Sequence, residues 1–371
     1  MTAITVTSPP PSPGEASVIG WRHQARHGVI LIRLGPLSTR VPARAVLVSL
    51  VLAVVLVTSL AWSISVGDFP MPIGDVVREL VGLGTNPANG FIIRTLRLPR
   101  VLTGALVGAA FGVSGQILQR LVRNPLASPD ILGVTGGAAF LAVLSIVALS
   151  ASTALITGSA LVGAIGAMLL IYLLAAGKGT TGYRLILVGI GVTAMFDAAV
   201  AYLLTRAQID DARRATIWLT GSLNGRGWEY VRPLTIALVL LVPVVILTCR
   251  HLRAIELGDE VATVLGVGVG RSRLVLGTLA AALAAVATAA AGPVAFVALA
   301  SPQIARRLVG ERTAGIVPAA LVGAVLVVLS DLAARRLFAP VELPVGVVTG
   351  VIGAPYLLWL LARANRIGSG G

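Results

Sequence analysis

Cysteine and lysine each occur once in this chain, as Cys249 and Lys178, and histidine three times, as His23, His27 and His251. One cysteine excludes an intramolecular disulfide and a cysteine-rich metal site. Three histidines so far apart offer no histidine metal centre, and no cofactor is expected. Lys178 stands in Ala-Gly-Lys-Gly-Thr, which misses the spacing of G-x-x-x-x-G-K-[ST], so any nucleotide would be bound by another chain. No cluster of His, Asp and Glu marks a catalytic centre, and enzymatic chemistry is not indicated. Charge is scarce too: 12% of residues are Asp, Glu, Lys or Arg, about half the usage of soluble domains.

What fills the chain instead is apolar. Hydrophobic residues make up 56% of it and the mean hydropathy is +0.93, the composition of an integral membrane protein. The net charge of +14 comes almost wholly from arginine. A basic balance of this size can signal nucleic acid, but the arginines are scattered between apolar runs, and no nucleic-acid partner is expected. They fit cation-rich loops that hold topology in membrane lipid.

A helix crossing about 30 Å of hydrocarbon needs about 20 apolar residues. By that measure there are about ten spans, near 45–66, 97–121, 129–150, 153–176, 184–206, 233–249, 273–292, 294–309, 315–338 and 344–362, an all-α polytopic bundle. The eighth is short and spans only partly. Residues 1–44, rich in Pro, Ser and Arg, read as a disordered basic cytoplasmic tail. Residues 45–364 form the membrane domain and 365–371 a short C-terminal tail. The first long apolar run begins too far from Met1 for a cleaved signal peptide. With both termini cytoplasmic, the larger share of the cations falls inside. The exceptions group outside, at Arg94/Arg97/Arg100, Arg206/Arg213/Arg214 and Arg335/Arg336.

The chain is organised around Arg94–Gly137. An arginine cluster, Arg94, Arg97 and Arg100, is broken by Pro99, and an apolar segment follows with Gly104, Gly108 and Gly112 on one face. Small residues four apart let helix backbones approach closely in lipid. A polar turn, Arg123-Asn124-Pro125-Leu126-Ala127-Ser128-Pro129-Asp130, ends it. Downstream lie Leu257-Gly258-Asp259-Glu260-Val261-Ala262 with Gly266, then Gly292-Pro293 through Arg306, Ser330-Asp331 through Arg335, and Glu342-Leu343-Pro344.

The order R-x-x-R-L-P-R, glycine-striped helix, S-G-x-x-x-Q, R-N-P-L-A-x-P and the later motifs resembles the FecCD-type permease subunits of the iron-siderophore and vitamin B12 ABC importers. The likeness runs from about Val46 to Ala364. It implies a type II ABC importer permease fold in the bacterial cytoplasmic membrane. The implied partners are an ABC ATPase subunit, a siderophore-binding protein and a second permease subunit, identical or paralogous. Ala298 and Gln303 stand where the resembled pattern carries glycine and histidine.

The resemblance assigns roles residue by residue. Arg97, Arg100 and Arg335 would dock the binding protein through its acidic residues; lipid-phosphate contact or snorkelling is the plainer alternative. Leu257, Gly258, Asp259, Glu260, Ala262 and Gly266, in the cytoplasmic stretch 252–270, would couple to the ATPase, with Ala262 and the glycines allowing close approach. The alternative is an ordinary solvated loop. Asn124, Pro125 and Leu126 would form the cytoplasmic gate with Gly182 and Tyr183, and a simple turn explains Asn-Pro equally well. Asp331 and Glu342, acids near or in lipid, call for partners, and Arg335, one turn from Asp331, is the expected mate. Small residues of the fifth and tenth segments (Gly189, Gly191, Thr193, Thr349 and Gly350) would line a pathway for a bulky ligand.

The reading is thus a permease that translocates a ferric siderophore by alternating access, driven by a separate ATPase. Cobalamin or haem is the alternative cargo. An ion-coupled secondary transporter is the alternative class, disfavoured by the scarcity of buried acids.

Overall fold

The computed structural model describes residues 29–34, 37–67, 69–84, 86–130, 133–175, 182–310 and 315–368. A two-stranded antiparallel hairpin, β1 (Val29–Leu34) and β2 (Leu37–Pro42), precedes the bundle. Within the segment expected to be a disordered tail, the described residues are these strands and the start of the first helix. The continuous apolar run Val29-Ile30-Leu31-Ile32, rich in β-branched residues, is a strand pattern inside an otherwise polar segment.

Helices follow in the order α1 (Ala43–Ser65), α2 (Ile73–Val81), α3 (Pro87–Phe91), α4 (Leu98–Val122), α5 (Val134–Leu149), α6 (Thr153–Ala175) and α7 (Gly182–Arg206). Then come α8 (Ile209–Leu219), α9 (Trp228–Glu256), α10 (Asp259–Val264), α11 (Val269–Ala291), α12 (Val297–Val309), α13 (Ile316–Arg336) and α14 (Val345–Gly368). Each of the ten apolar segments forms a helix. Among the described residues, seven helices are long and apolar enough to cross a membrane; Val134–Leu149 and Val345–Trp359 are shorter apolar ones. Helix α12, at 13 residues, reaches about 20 Å, short of a full hydrocarbon core.

Two boundaries differ from the sequence reading, each for a local reason. Helix α4 does not start afresh at residue 97. A π-helical turn, Ile92–Arg97, joins it to α3, immediately before Pro99. Proline has no N–H and its ring crowds the preceding turn, which the wider π turn accommodates. Helix α5 begins only at Val134, where Val134 N donates to Pro129 O and Gly133 N to Asp130 O.

Helix α4 is the axis of the bundle. It packs against α13, α11, α12 and α9, and most of its side chains are buried. The glycine stripe makes this possible. A Cβ on Gly108 would overlap the Gly323 carbonyl on α13, one on Gly112 would overlap that of Ala319, and one on Gly104 would lie 2.9 Å from Leu223 Cδ1. The periphery is the converse: α1 exposes Leu47, Leu50, Val54 and Val57, an apolar exterior suited to lipid.

Candidate functional sites at the two ends of the bundle

The bundle has two polar ends. The upper one carries the connections 66–97, 207–227 and 337–344; the lower one carries 123–133 and 257–268 and the end of α12. At the upper end α4 and α13 present their arginines side by side, and the sequence-selected Arg97, Arg100 and Arg335 come together there.

Asp331 is the hub. Arg100 donates to it in a fork, Nη2 to Oδ1 at 2.9 Å and Nε to Oδ2 at 3.2 Å, while its Nη1 donates to Glu342 Oε2 at 3.0 Å. Arg335 Nε lies 3.2 Å from Asp331 Oδ2. The Arg335–Asp331 pair was readable one turn apart; the Arg100 partnership, 231 residues away, was not. Asp331 is 4% exposed and Arg100 13%, so the charges are neutralised by each other rather than by water.

The remaining donors wrap the C-terminal end of α1. Arg97 donates to the Ile64 and Phe69 carbonyls at 2.7 and 2.8 Å. Arg335 Nη2 donates to Ser63 O and Oγ, and Arg336 to Gly67 O. Guanidinium groups at a helix C-terminus satisfy carbonyls that lack intrahelical partners and favour the dipole. Arg94 reaches Glu79 in the same region.

At the lower end, α4 closes with Arg123 in the left-handed region (φ 54°) and with Asn124 N donating back to Gln119 O. That is a Schellman-type stop, where glycine is usual. The arginine side chain reaches Ile255 O and pairs with Asp259 Oδ1 at 3.0 Å. Arg273, on the second turn of α11, meets the same oxygen at 2.9 Å, and Arg120 pairs with Glu256 at 3.1 Å. Asn124 Oδ1 accepts from Leu126 N at 2.9 Å, holding the turn. Gln303 Nε2 then donates to Pro125 O at 2.7 Å and to Gln119 Oε1 at 3.1 Å, while Arg306 Nη2 donates to Gln119 Oε1 at 2.6 Å. Gln119 and Gln303 were not singled out as functional. Two glutamines half a chain apart on apolar helices were the available signal, since a buried amide must find partners.

Helix α10 sits between two left-handed glycines, Gly258 (φ 121°) and Gly266 (φ 78°). Its orientation revises one expectation. Ala262 is wholly buried against the chain itself rather than turned toward a partner. Half-exposed Asp259 and buried Ala262, three apart, lie on the side of the helix that the Arg123 and Arg273 pairs tie to the bundle. The outward surface is apolar: Leu257, Val261, Val264 at 87% exposure and Leu265. Glu260 also lies on the exposed side.

Of the second gate segment, Gly182 begins α7, while Gly179–Thr181 and the side chain of Tyr183 fall outside the described residues. The residues expected to line the pathway divide between buried and open positions. Thr349 is buried with Oγ1 on Gly346 O, and Gly189 is buried. Gly191 is exposed and Gly350 half-buried, each with open space where a Cβ would sit, and α7 and α14 also expose Leu187, Ile190, Val351 and Ile352.

Asp130, partly buried in the turn before α5, is pushed up to about 6 by desolvation, opposed by a hydrogen bond with Thr135.

A multi-pass bundle built on a glycine-striped central helix, with arginines gathered at one end and a glycine-bounded helical loop at the other, defines a membrane permease. Residues 51–363 match the FecCD transport family, and the chain belongs to it. It is 41% identical over 326 residues to the ferric enterobactin transport system permease protein FepG of Escherichia coli (strain K12), covering 88% of this chain and 98% of that one. It is likewise 41% identical over 342 residues to the achromobactin transport system permease protein CbrC of Dickeya dadantii (strain 3937), covering 91% and 97%. Among solved structures it superimposes on an inward-facing metal-chelate type ABC transporter with a TM-score of 0.75 and 28% identity, covering 86% of this chain and 99% of that one.

Proposed function

We propose that this chain is the permease subunit of an ABC importer carrying a ferric siderophore across the bacterial cytoplasmic membrane. The observation that carries the reading is the 41% identity, over 88% of the chain, with a permease named for ferric enterobactin transport. In this reading two permease subunits frame the pathway and an ATPase subunit grips the lower end. A siderophore-binding protein docks at the upper end, and both termini are cytoplasmic. The chain itself makes and breaks no bonds.

The two ends suit those roles. The exposed apolar face of α10 gives a partner something to bury, and its bounding glycines let the short helix stand off from α9 and α11. Arg97, Arg100 and Arg335 gather at the upper end, but Arg100 and Arg335 are 13% and 10% exposed and paired with Asp331, so in this reading they order the surface that a binding protein meets rather than offer it free charge. The Asn124–Leu126 turn, held by Gln303, closes the lower end of the pathway.

The test is reconstitution in vesicles with the ATPase and the binding protein. Vanadate-sensitive accumulation of the ferric siderophore is expected. Accumulation by this chain alone on a proton gradient overturns the reading in favour of a secondary transporter. Uptake of cobalamin or haem, but not of ferric siderophores, reassigns the cargo.

A further inference from the structure

Asp259 lies in the loop assigned to the ATPase with its side chain 47% exposed, and its carboxylate reaches back to its own chain. Both of its observed partners, Arg123 and Arg273, are internal. Arg123 is the first residue of the turn that continues through Asn124, Pro125 and Leu126. It holds a backbone conformation suited to glycine, so this position supplies a side chain at a conformational cost. From that turn the contacts go on without a break, with Pro125 O to Gln303, Gln303 to Gln119, and Gln119 to Arg306.

We propose that Asp259 is a positioning residue, a strut that transmits displacement of α10 through Arg123 to the 123–126 turn and on to α12. It does not contact the ATPase. The outward residues Leu257, Val261, Val264 and Leu265 make that contact, and Asp259 converts movement of the loop into movement of the turn. An ion pair is suited to this. Charge-assisted hydrogen bonds are directional and resist separation, whereas the small Ala262 contact beside it allows sliding. Arg273 anchors the same carboxylate to α11, so the strut pivots at the start of that helix.

The inference rests on reading 252–270 as the ATPase-facing loop, and the experiment separates the two. In the complete complex, reconstituted with ATPase and binding protein, Val264→Glu tests the loop reading: loss of ATPase co-purification is expected. Asp259→Asn tests the strut. The ATPase should co-purify, while ligand transported per ATP hydrolysed falls about tenfold. Arg123→Gly should give the same loss, because glycine favours the turn conformation and removes only the side chain. The double variant should be no worse than either single one, and Asp259→Glu should restore much of the coupling. Loss of ATPase binding in Asp259→Asn makes Asp259 a partner contact and overturns the strut. Unaltered transport per ATP, or additive losses in the double variant, overturns it too. If Val264→Glu keeps both ATPase and coupling, the loop reading itself fails.

Discussion

Alanine at Gly108 adds one methyl group where α4 and α13 touch backbone to backbone. The new Cβ would overlap the Gly323 carbonyl and lie 2.9 Å from Ala324 Cα. Both obstacles are main chain, so no rotamer change relieves them, and the helices must part. Gly112 meets Ala319 in the same way one turn on, so the displacement spreads along the contact. Overpacking of this kind costs about 1–3 kcal/mol, and the rigid neighbours place Gly108→Ala toward the upper end. Against it runs the helix preference for alanine over glycine, worth about 1 kcal/mol. The net expectation is destabilisation of about 1–2 kcal/mol. Gly166→Ala on α6 isolates the second effect, because nothing lies within 4 Å of its added Cβ. It should stabilise by up to about 1 kcal/mol. Thermal unfolding in detergent, followed by loss of the monodisperse species, should therefore shift down for Gly108→Ala and up for Gly166→Ala. A rise in both midpoints would refute the close approach of α4 and α13.

Asp331→Asn leaves Arg100 and Arg335 facing each other with one counter-charge between them, and should destabilise the chain by about 3–5 kcal/mol in the same assay. Glu342→Gln removes a contact more than a third exposed, so its effect should stay within about 1 kcal/mol. Asp130, with its carboxyl raised from 3.8 to about 6, binds its proton more tightly folded than unfolded. Its contribution to stability is complete below pH 3.8 and is lost as pH rises through about 6. Asp130→Asn should flatten that part of the pH–stability profile and raise stability at neutral pH by up to about 3 kcal/mol. Gln303→Leu strips Pro125 O and Gln119 of a buried donor and should cost about 1–3 kcal/mol. Increased protease access to the 123–126 turn would locate the loss.

The ten apolar segments and the glycine stripe on α4 were legible because length, hydropathy and four-residue spacing are local properties. What the stripe faces was not. Nothing near Gly108 names Gly323 as its neighbour, since that contact is made by closing the bundle. The same limit separates the two halves of the upper cluster, where Asp331 and Arg335 sit one turn apart while Arg100 arrives from another helix. At the lower end the glycines bounding α10 mark a hinged short helix, but the rotation that turns Ala262 inward is fixed by Arg123 and Arg273. The hairpin of residues 29–42 was hidden by its polar surroundings. Gly189 and Thr349 are buried while Gly191 is open, a division the sequence does not mark because small residues suit a pathway wall and a helix contact equally well.

The contact that anchors Pro125 ends in a carboxamide, where the resembled permease pattern has an imidazole. An amide neither gains nor loses a proton across the physiological range, whereas an imidazole changes charge near neutrality. The Gln303–Pro125 contact therefore carries no titratable group of its own. A change in acidity would reach this end of the bundle through the Asp130 carboxyl, and the amide latch between the two helices would stay as it is.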